Sequence, residues 1–366
     1  MDLLSDETSG TRILTARHIL NDDKTLPESN NAINTSFLCH TYSLQPDFHT
    51  YLAALHSYAW VVWSCGFLLL LAICLLFVVT VKSVFRHRKN YSTNAICVLA
   101  VYPIVAGAAL LATIVPRTRI LAEAIAQESV MIAMYHFFCI MIAECGGSDQ
   151  LVSRGAGSRL ETRVLPCCCW PCCVIPRPQI QKRNLKRLRY LVLQMPVIQT
   201  LIYVIILSLM SEDISVYLDS FMYIQPLVAA SILTGVWGVI ISVRAAEANG
   251  VSPRPRFLAL QLVLLIVKLQ CALAKLLPEM VTIPCVVPLN PSVFLNLIHN
   301  SVMIFEMFLL SLWAWRLYRV PPGKMLEKAQ QVVVAVLEDS PCVIDFKTNK
   351  SDVFNTAFDT QVNNRL

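Results

Sequence analysis

Runs of apolar residues long enough to cross a bilayer recur along this chain, at 59–81, 93–115, 120–143, 190–210, 221–243, 257–277 and 293–315. A helix needs about 20 predominantly apolar residues to span a hydrocarbon core. In lipid, only helices and closed barrels satisfy every backbone N–H and C=O, and barrel strands are about 10 residues long. The runs therefore predict an all-α integral membrane protein with seven transmembrane helices. The charge content agrees, since 15% of the 366 residues are charged against about 25% in a soluble domain. The run at 120–143 is the least apolar, because it carries Glu123 and Glu128.

Lys and Arg in the connections set the expected orientation. Lys82, Arg86, Arg88 and Lys89 follow the first run, the loop 144–189 holds nine basic residues against three acidic, and 244–256 holds three against one. The alternate loops are acidic: 211–220 has Glu212, Asp213 and Asp219, and 278–292 has Glu279, neither with a base. Arg117 and Arg119 alone run against the trend. These signs put the N-terminus outside and the C-terminus in the cytoplasm, which an odd number of spans requires. Residues 1–30 have no apolar signal-peptide core, so the first run is expected to act as its own insertion signal.

The expected organisation is an extracellular tail over 1–57, with a short helix near 48–56, and a membrane domain over 58–318. A cysteine-rich cytoplasmic loop occupies 144–189, and a cytoplasmic tail 319–366. Within that tail, Met325, Leu326, Ala329, Val332, Val333, Val336 and Leu337 recur at helical spacing. They predict an amphipathic helix over 324–337 on the inner leaflet, with a plain soluble helix as the alternative. The stretch 339–366 reads as polar and disordered. In the outer tail, Asn34-Thr35-Ser36 is a glycosylation sequon. Of 14 cysteines, only Cys39 and Cys285 fall in outside segments, where an oxidising environment favours a bridge. Spacing cannot test that geometry, and two free thiols are the alternative.

Cys167, Cys168, Cys169, Cys172 and Cys173 crowd into seven residues just before the basic run 182–189. Cys169 and Cys172 have zinc-type spacing, but the loop offers no second pair or histidine, and adjacent cysteines cannot all turn to one ion. Juxtamembrane cysteines beside bases fit S-palmitoylation, each acyl chain adding about 0.8 kcal/mol per buried methylene. An unmodified loop is the third reading.

Charges inside a span cost roughly 2.5–3.5 kcal/mol on insertion scales and so mark function by default. In the sixth run Gln261, Lys268 and Lys275 are spaced seven and seven, on one helical face. The third run carries Glu123, Gln127 and Glu128. Counted from the outer ends at ~1.5 Å per residue, Glu128 matches the depth of Lys268, and Glu123 matches Lys275. The seventh adds His299, Asn300 and Glu306; Gln194, Gln199, Gln225 and Gln270 are scattered through the others. The functional expectation is a polar groove for an amphipathic anion, with Lys268 and Lys275 facing the negative group. The structural alternative is interhelical hydrogen bonding, worth about 0.6 kcal/mol per contact, and it is the better explanation for any single glutamine. No Walker loop, dinucleotide fingerprint or His-Glu-x-x-His is present, so neither an enzyme, a primary pump nor a cofactor is expected. The formal charge of +6 is mostly topological signal and implies no nucleic-acid partner.

Five features resemble the alpha subunit of the organic solute transporter family, in an invertebrate-like version. They are the run Pro166-Cys167-Cys168-Cys169-Trp170-Pro171-Cys172-Cys173; Glu144-Cys145-Gly146-Gly147 after the third span; Val115-Pro116-Arg117 followed by Glu123; Phe257 to Gln261 with Leu264-Leu265-Ile266 through Gln270; and Glu306-Met307-Phe308. The resemblance covers about 58–318. It implies a facilitative carrier of bile acids, steroid conjugates and similar anions, independent of ATP and sodium, in the plasma membrane. It also implies a single-span beta subunit in vertebrate members and hetero-oligomers with it. Glu123, Gln261, Gln270, Glu306 and the five cysteines carry over from the family pattern, whereas Lys268 and Lys275 lie outside it. Two other functions compete. A seven-helix receptor is opposed by the absence of Asp/Glu-Arg-Tyr after the third span and of Asn-Pro-x-x-Tyr in the seventh. A lipidated scaffold or trafficking protein would differ by lacking solute flux.

Overall fold

The computed structural model describes residues 46–87, 92–154, 160, 178–212, 214–280 and 290–319. The expectations for Asn34, Cys39, Cys285, the five clustered cysteines and the tail helix 324–337 lie outside these residues, as does the side chain of Lys275. The described chain is helical: α1 Phe48–Leu55, α2 Ser57–His87, α3 Ser92–Leu99, α4 Val101–Ile114, α5 Arg119–Glu144, α6 Ser148–Arg154, α7 Lys182–Glu212, α8 Ile214–Ala248, α9 Arg254–Met280 and α10 Pro291–Arg319. Seven helical segments are long and apolar enough to cross a membrane. They are α2, the α3–α4 pair, α5, α7, α8, α9 and α10, one for each apolar run.

Local chemistry sets where these helices bend and stop. Pro103 lacks an N–H for the Leu99 carbonyl, and its ring crowds that turn. The second span accordingly breaks at Ala100 into α3 and α4. Val115 is extended before Pro116, which opens a short 3₁₀ turn leading into α5. The end of α5 is a Schellman motif: Gly146 N–H donates to the Ala143 carbonyl and Gly147 N–H to that of Ile142. Gly146 has φ +86°, a conformation a Cβ resists. The end of α8 repeats the motif, with Gly250 donating to Glu247 and Val251 to Ala246. Ile142 and Val251 pack on one apolar cluster containing Cys145, Leu151, Leu185 and Ala246. The two helix ends are thereby joined at the end of the bundle that carries the cysteine loop. There Leu160 N–H donates to the Pro178 carbonyl at 2.8 Å and holds the two ends of that loop together. The basic run 182–189 forms the first two turns of α7, with Leu185 and Leu188 buried and its cations outside.

The fifth helix, α5, is the centre of the bundle. It packs against α3 and α4, α7, α9 and α8, and small residues such as Ala122, Ala126 and Ala133 permit the approach. By contrast α2 is peripheral, resting on α10 and α4, with Trp60, Phe67, Leu68 and Leu75 at least 60% exposed. That exposure is what a lipid-facing helix requires. At the N-terminal end α1 folds over α2 and α10 through Tyr51, Leu55, Val293 and Leu297. The Tyr51 hydroxyl donates to the Thr113 carbonyl at 2.9 Å, and burial pushes its phenol up to about 12. On the other side α7 and α8 pack along each other more extensively than any other pair of the described helices. A Cβ on Gly235 would overlap the Met195 side chain. The main partners of α9 are α10 and α5, which leaves space between α9 and the α7–α8 pair.

Candidate functional site

That space is a cavity of about 490 Å³, lined by α5, α7, α8 and α9. Its α5 residues, Ile120, Glu123 and Gln127, come from the first turns of that helix. The cavity therefore lies in the half of the bundle nearer the N-terminal end. Its walls are largely apolar, with Ile202, Ile206, Val228, Ile232 and Leu233 among them. Polar groups gather on the α5–α9 side, joined by Gln199 and Gln225 from the opposite pair. The proportion suits an amphipathic ligand, since small-molecule sites are mostly apolar cavities of about 300–1,000 Å³ with a few placed polar groups.

Gln127 is the hub of the polar side. It is 5% exposed, and its Oε1 accepts from the Lys268 ammonium and from Gln199 Nε2 at 3.4 Å. Its Nε2 donates to Glu123 Oε1 at 3.0 Å and, weakly, to Cys271 Sγ at 3.9 Å. One amide thus ties α5 to α7 and α9. Glu128, on the next position of α5, lies close enough to Thr200 and Lys268 to interact with both. Its buried Oε2 has no hydrogen-bond partner. The Thr200 hydroxyl meanwhile donates to the Pro196 carbonyl at 2.8 Å, the acceptor of a proline turn inside α7.

The residues singled out from sequence separate into groups. Glu123 and Lys268 line the cavity, whereas Glu128 is absent from the lining. Gln261 sits two turns from Lys268 on the same helix; it is absent from the lining, and its Oε1 is buried without a hydrogen bond. The stripe of Gln261, Lys268 and Lys275 therefore does not enter the cavity as a unit. Gln270 donates to Glu306 across the α9–α10 contact. These two face away from the cavity, because Gln270 lies about 200° around the helix from Lys268. Asn300 is buried and donates to the Asn296 carbonyl at 2.8 Å. It borders a separate space of about 30 Å³ shared with Glu123, Arg119, His299 and Cys271, room for roughly one water.

Gln127 and Gln199 are the central polar residues that sequence reasoning passed over as ordinary interhelical donors. One local signal was present: Glu123 and Gln127 are four apart and therefore share a face of α5. No signal within α7 pointed Gln199 at them.

The groove closes toward the cysteine-loop end. Arg256 of α9 forms a two-pronged ion pair with Glu144 of α5, 2.7 Å on each arm, both side chains at most 7% exposed. The Tyr318 ring of α10 lies 5.8 Å from the guanidinium, and Phe137 stacks on Phe257 one layer further in. Among the described residues no cluster of metal-ligating side chains occurs.

Fold and groove together define a seven-span helical membrane protein with a ligand-sized cavity between its helices. A family model described as Organic solute transporter Ostalpha matches residues 61–322. The chain belongs to that family and is a membrane transporter of organic solutes. It is 28% identical over 259 residues to an organic solute transporter alpha-like protein of Drosophila melanogaster, covering 70% of this chain and 79% of the relative. It is 25% identical over 251 residues to an organic solute transporter subunit alpha of Danio rerio, covering 65% and 74%. Both relatives are named as transporter proteins, not as enzymes. No solved structure matches the chain.

Proposed function

We propose that the chain is a facilitative carrier of amphipathic organic anions, such as steroid conjugates or bile-acid-like solutes, working in the plasma membrane without ATP or sodium. The observation that carries this reading is the apolar cavity of about 490 Å³ with Lys268, Gln127 and Glu123 gathered on one side. A rigid apolar skeleton would occupy the walls of α7 and α8, and its anionic group would approach Lys268. The basic loops support an outside N-terminus, which orients the cavity toward the exterior and the Glu144–Arg256 seal toward the cytoplasm.

Further parts of the proposal concern the chain's surroundings. The clustered cysteines Cys167, Cys168, Cys169, Cys172 and Cys173 would be palmitoylated and hold their loop against the inner leaflet. Asn34 would carry a glycan, and Cys39 and Cys285 would be bridged. A single-span beta subunit would join the chain; the zebrafish relative is itself named as a subunit.

The test is efflux of a labelled steroid sulfate from cells expressing the chain alone or with a single-span beta partner. Flux unaffected by sodium removal and ATP depletion is expected. No flux in either case, with the chain confirmed at the cell surface, would move the assignment to another solute class or to a lipidated scaffold.

A further inference from the structure

The first two turns of α7 carry Lys182, Arg183, Lys186, Arg187 and Arg189 and no acidic residue. Two of these cations have partners. Lys182 pairs with Asp149 at 2.5 Å, and Arg189 donates from Nε and Nη2 to the Tyr135 hydroxyl at 3.1 and 2.9 Å. Arg183, Lys186 and Arg187 are exposed, and none of the three has a carboxylate partner among the described residues. Arg183 stands three and four positions before Lys186 and Arg187, the spacing at which like charges on a helix repel. Cations are also disfavoured near a helix N-terminus. No described residue offsets either cost.

The direction of these side chains indicates what would. Along α7, Tyr190, Val197, Leu201 and Val204 are each more than half exposed, a stripe suited to lipid. At about 100° per residue, Arg183, Lys186 and Arg187 fall within about 60° of Tyr190. The cationic face therefore continues the lipid-facing stripe. Lys186 Nζ stands 5.9 Å from the Tyr190 ring centroid, and an aromatic at the end of an apolar stripe suits the membrane interface. At ~1.5 Å per residue the three bases lie about 5–10 Å beyond Tyr190 along the axis, and a headgroup layer is about 5–8 Å thick. The bases are thus within reach of lipid headgroups.

We propose that Arg183, Lys186 and Arg187 form a binding surface for anionic phospholipid headgroups in the leaflet at the cysteine-loop end, with Tyr190 against the upper part of the acyl chains. The occupant is a bilayer lipid because the cations share a face with the lipid-exposed residues; an acidic protein segment would require only a patch facing solvent. The surface lies outside the cavity and is independent of the solute carried.

The test uses the full chain in nanodiscs of phosphatidylcholine, which expose both membrane faces and so make orientation immaterial. The discs hold a trace of phosphatidylserine or of phosphatidylcholine with the same photoreactive acyl chain. Labelling of the peptide around Tyr190 is read by mass spectrometry. In the wild-type chain the phosphatidylserine probe should label it roughly tenfold more than the phosphatidylcholine probe, the scale expected of a few bases near an anionic surface. The ratio should fall as salt is raised. Arg183→Gln, Lys186→Gln and Arg187→Gln together should bring it close to one, whereas Arg183→Lys with Arg187→Lys should keep most of it. Lys82→Gln, Arg86→Gln and Arg316→Gln together remove as much charge from exposed positions on other helices and should leave it largely unchanged.

A ratio near one in the wild-type chain would overturn the proposal. An equal fall in the second triple variant would also overturn it, because the preference would then belong to the basic end as a whole. If the first triple variant fails to fold, a wild-type ratio insensitive to salt would be equally decisive against it. Phosphatidylserine preference without steroid sulfate flux would instead refute the solute assignment and leave this surface standing.

Discussion

The central helix meets α9 twice, with a carboxylate and a base at each meeting, and the two meetings end differently. Near the cysteine loop, Glu144 and Arg256 close on each other at 2.7 Å and exclude solvent. In the opposite half, Glu123, Gln127 and Lys268 border an open cavity of about 490 Å³. The bundle decides which. At the closed end, the Schellman termini of α5 and α8 and the Phe137–Phe257 stack draw the helices together. At the open end, α9 stands off from α7 and α8. Similar residue types therefore hold the fold at one end and form a candidate site at the other. A buried pair is costly to break, whereas groups that border a cavity can also be reached by a ligand.

The comparison is broken most severely at the closed end. Arg256→Ala strands Glu144 in an apolar layer and should cost about 3–5 kcal/mol, seen as a large drop in thermal stability of the purified protein. Arg256→Lys, which keeps the charge but loses the two-pronged geometry, should fall between. Equal stability of Arg256→Ala and wild type would remove the structural role assigned to the pair. At the open end, Lys268→Ala should leave melting nearly unchanged while weakening transport of steroid sulfates roughly tenfold relative to neutral sterols. Equal loss for both solute types would make Lys268 a folding residue like Arg256.

Smaller changes sharpen the contrast. Gly146→Ala places a Cβ at φ +86° against the Gln150 side chain, for a cost of roughly 1–2 kcal/mol. The measurement is again thermal melting, and a neutral result would show that this helix end is not under tension. Cys145, sealed in the same region, has its thiol pushed up to about 11 by burial and then by the neighbouring Glu144. Its alkylation should be very slow at pH 7 and should rise about tenfold per pH unit until the pH approaches 11, since the thiolate is the reactive form. Fast labelling at neutral pH would mean that the closed end opens readily.

Much of this architecture was legible in local sequence. Apolar run length identified the spans, and Pro116 and Gly146-Gly147 fall where the second and third spans were expected to end; the break at Ala100 beside Pro103 was not read, and the second span was expected as one unbroken run. The basic turns 182–189 proved to be the start of α7 rather than part of a loop, because Leu185 and Leu188 continue the helical apolar spacing beyond the hydrocarbon run. The charge stripe of α9 was legible as a face but not as a site. Lys268 enters the cavity; Gln261 belongs to a different level of the helix; and Gln270 turns to Glu306 on α10.

The sequence by itself determined that seven helices cross the bilayer and which residues share a face of each, since both follow from the 3.6-residue period and from the length of apolar runs. Only the tertiary structure decided that Gln127 meets Lys268, 141 positions away, and that Glu144 meets Arg256 across 112. The rotation and height of one helix against another arise from side-chain packing across the whole bundle, to which no local period is sensitive.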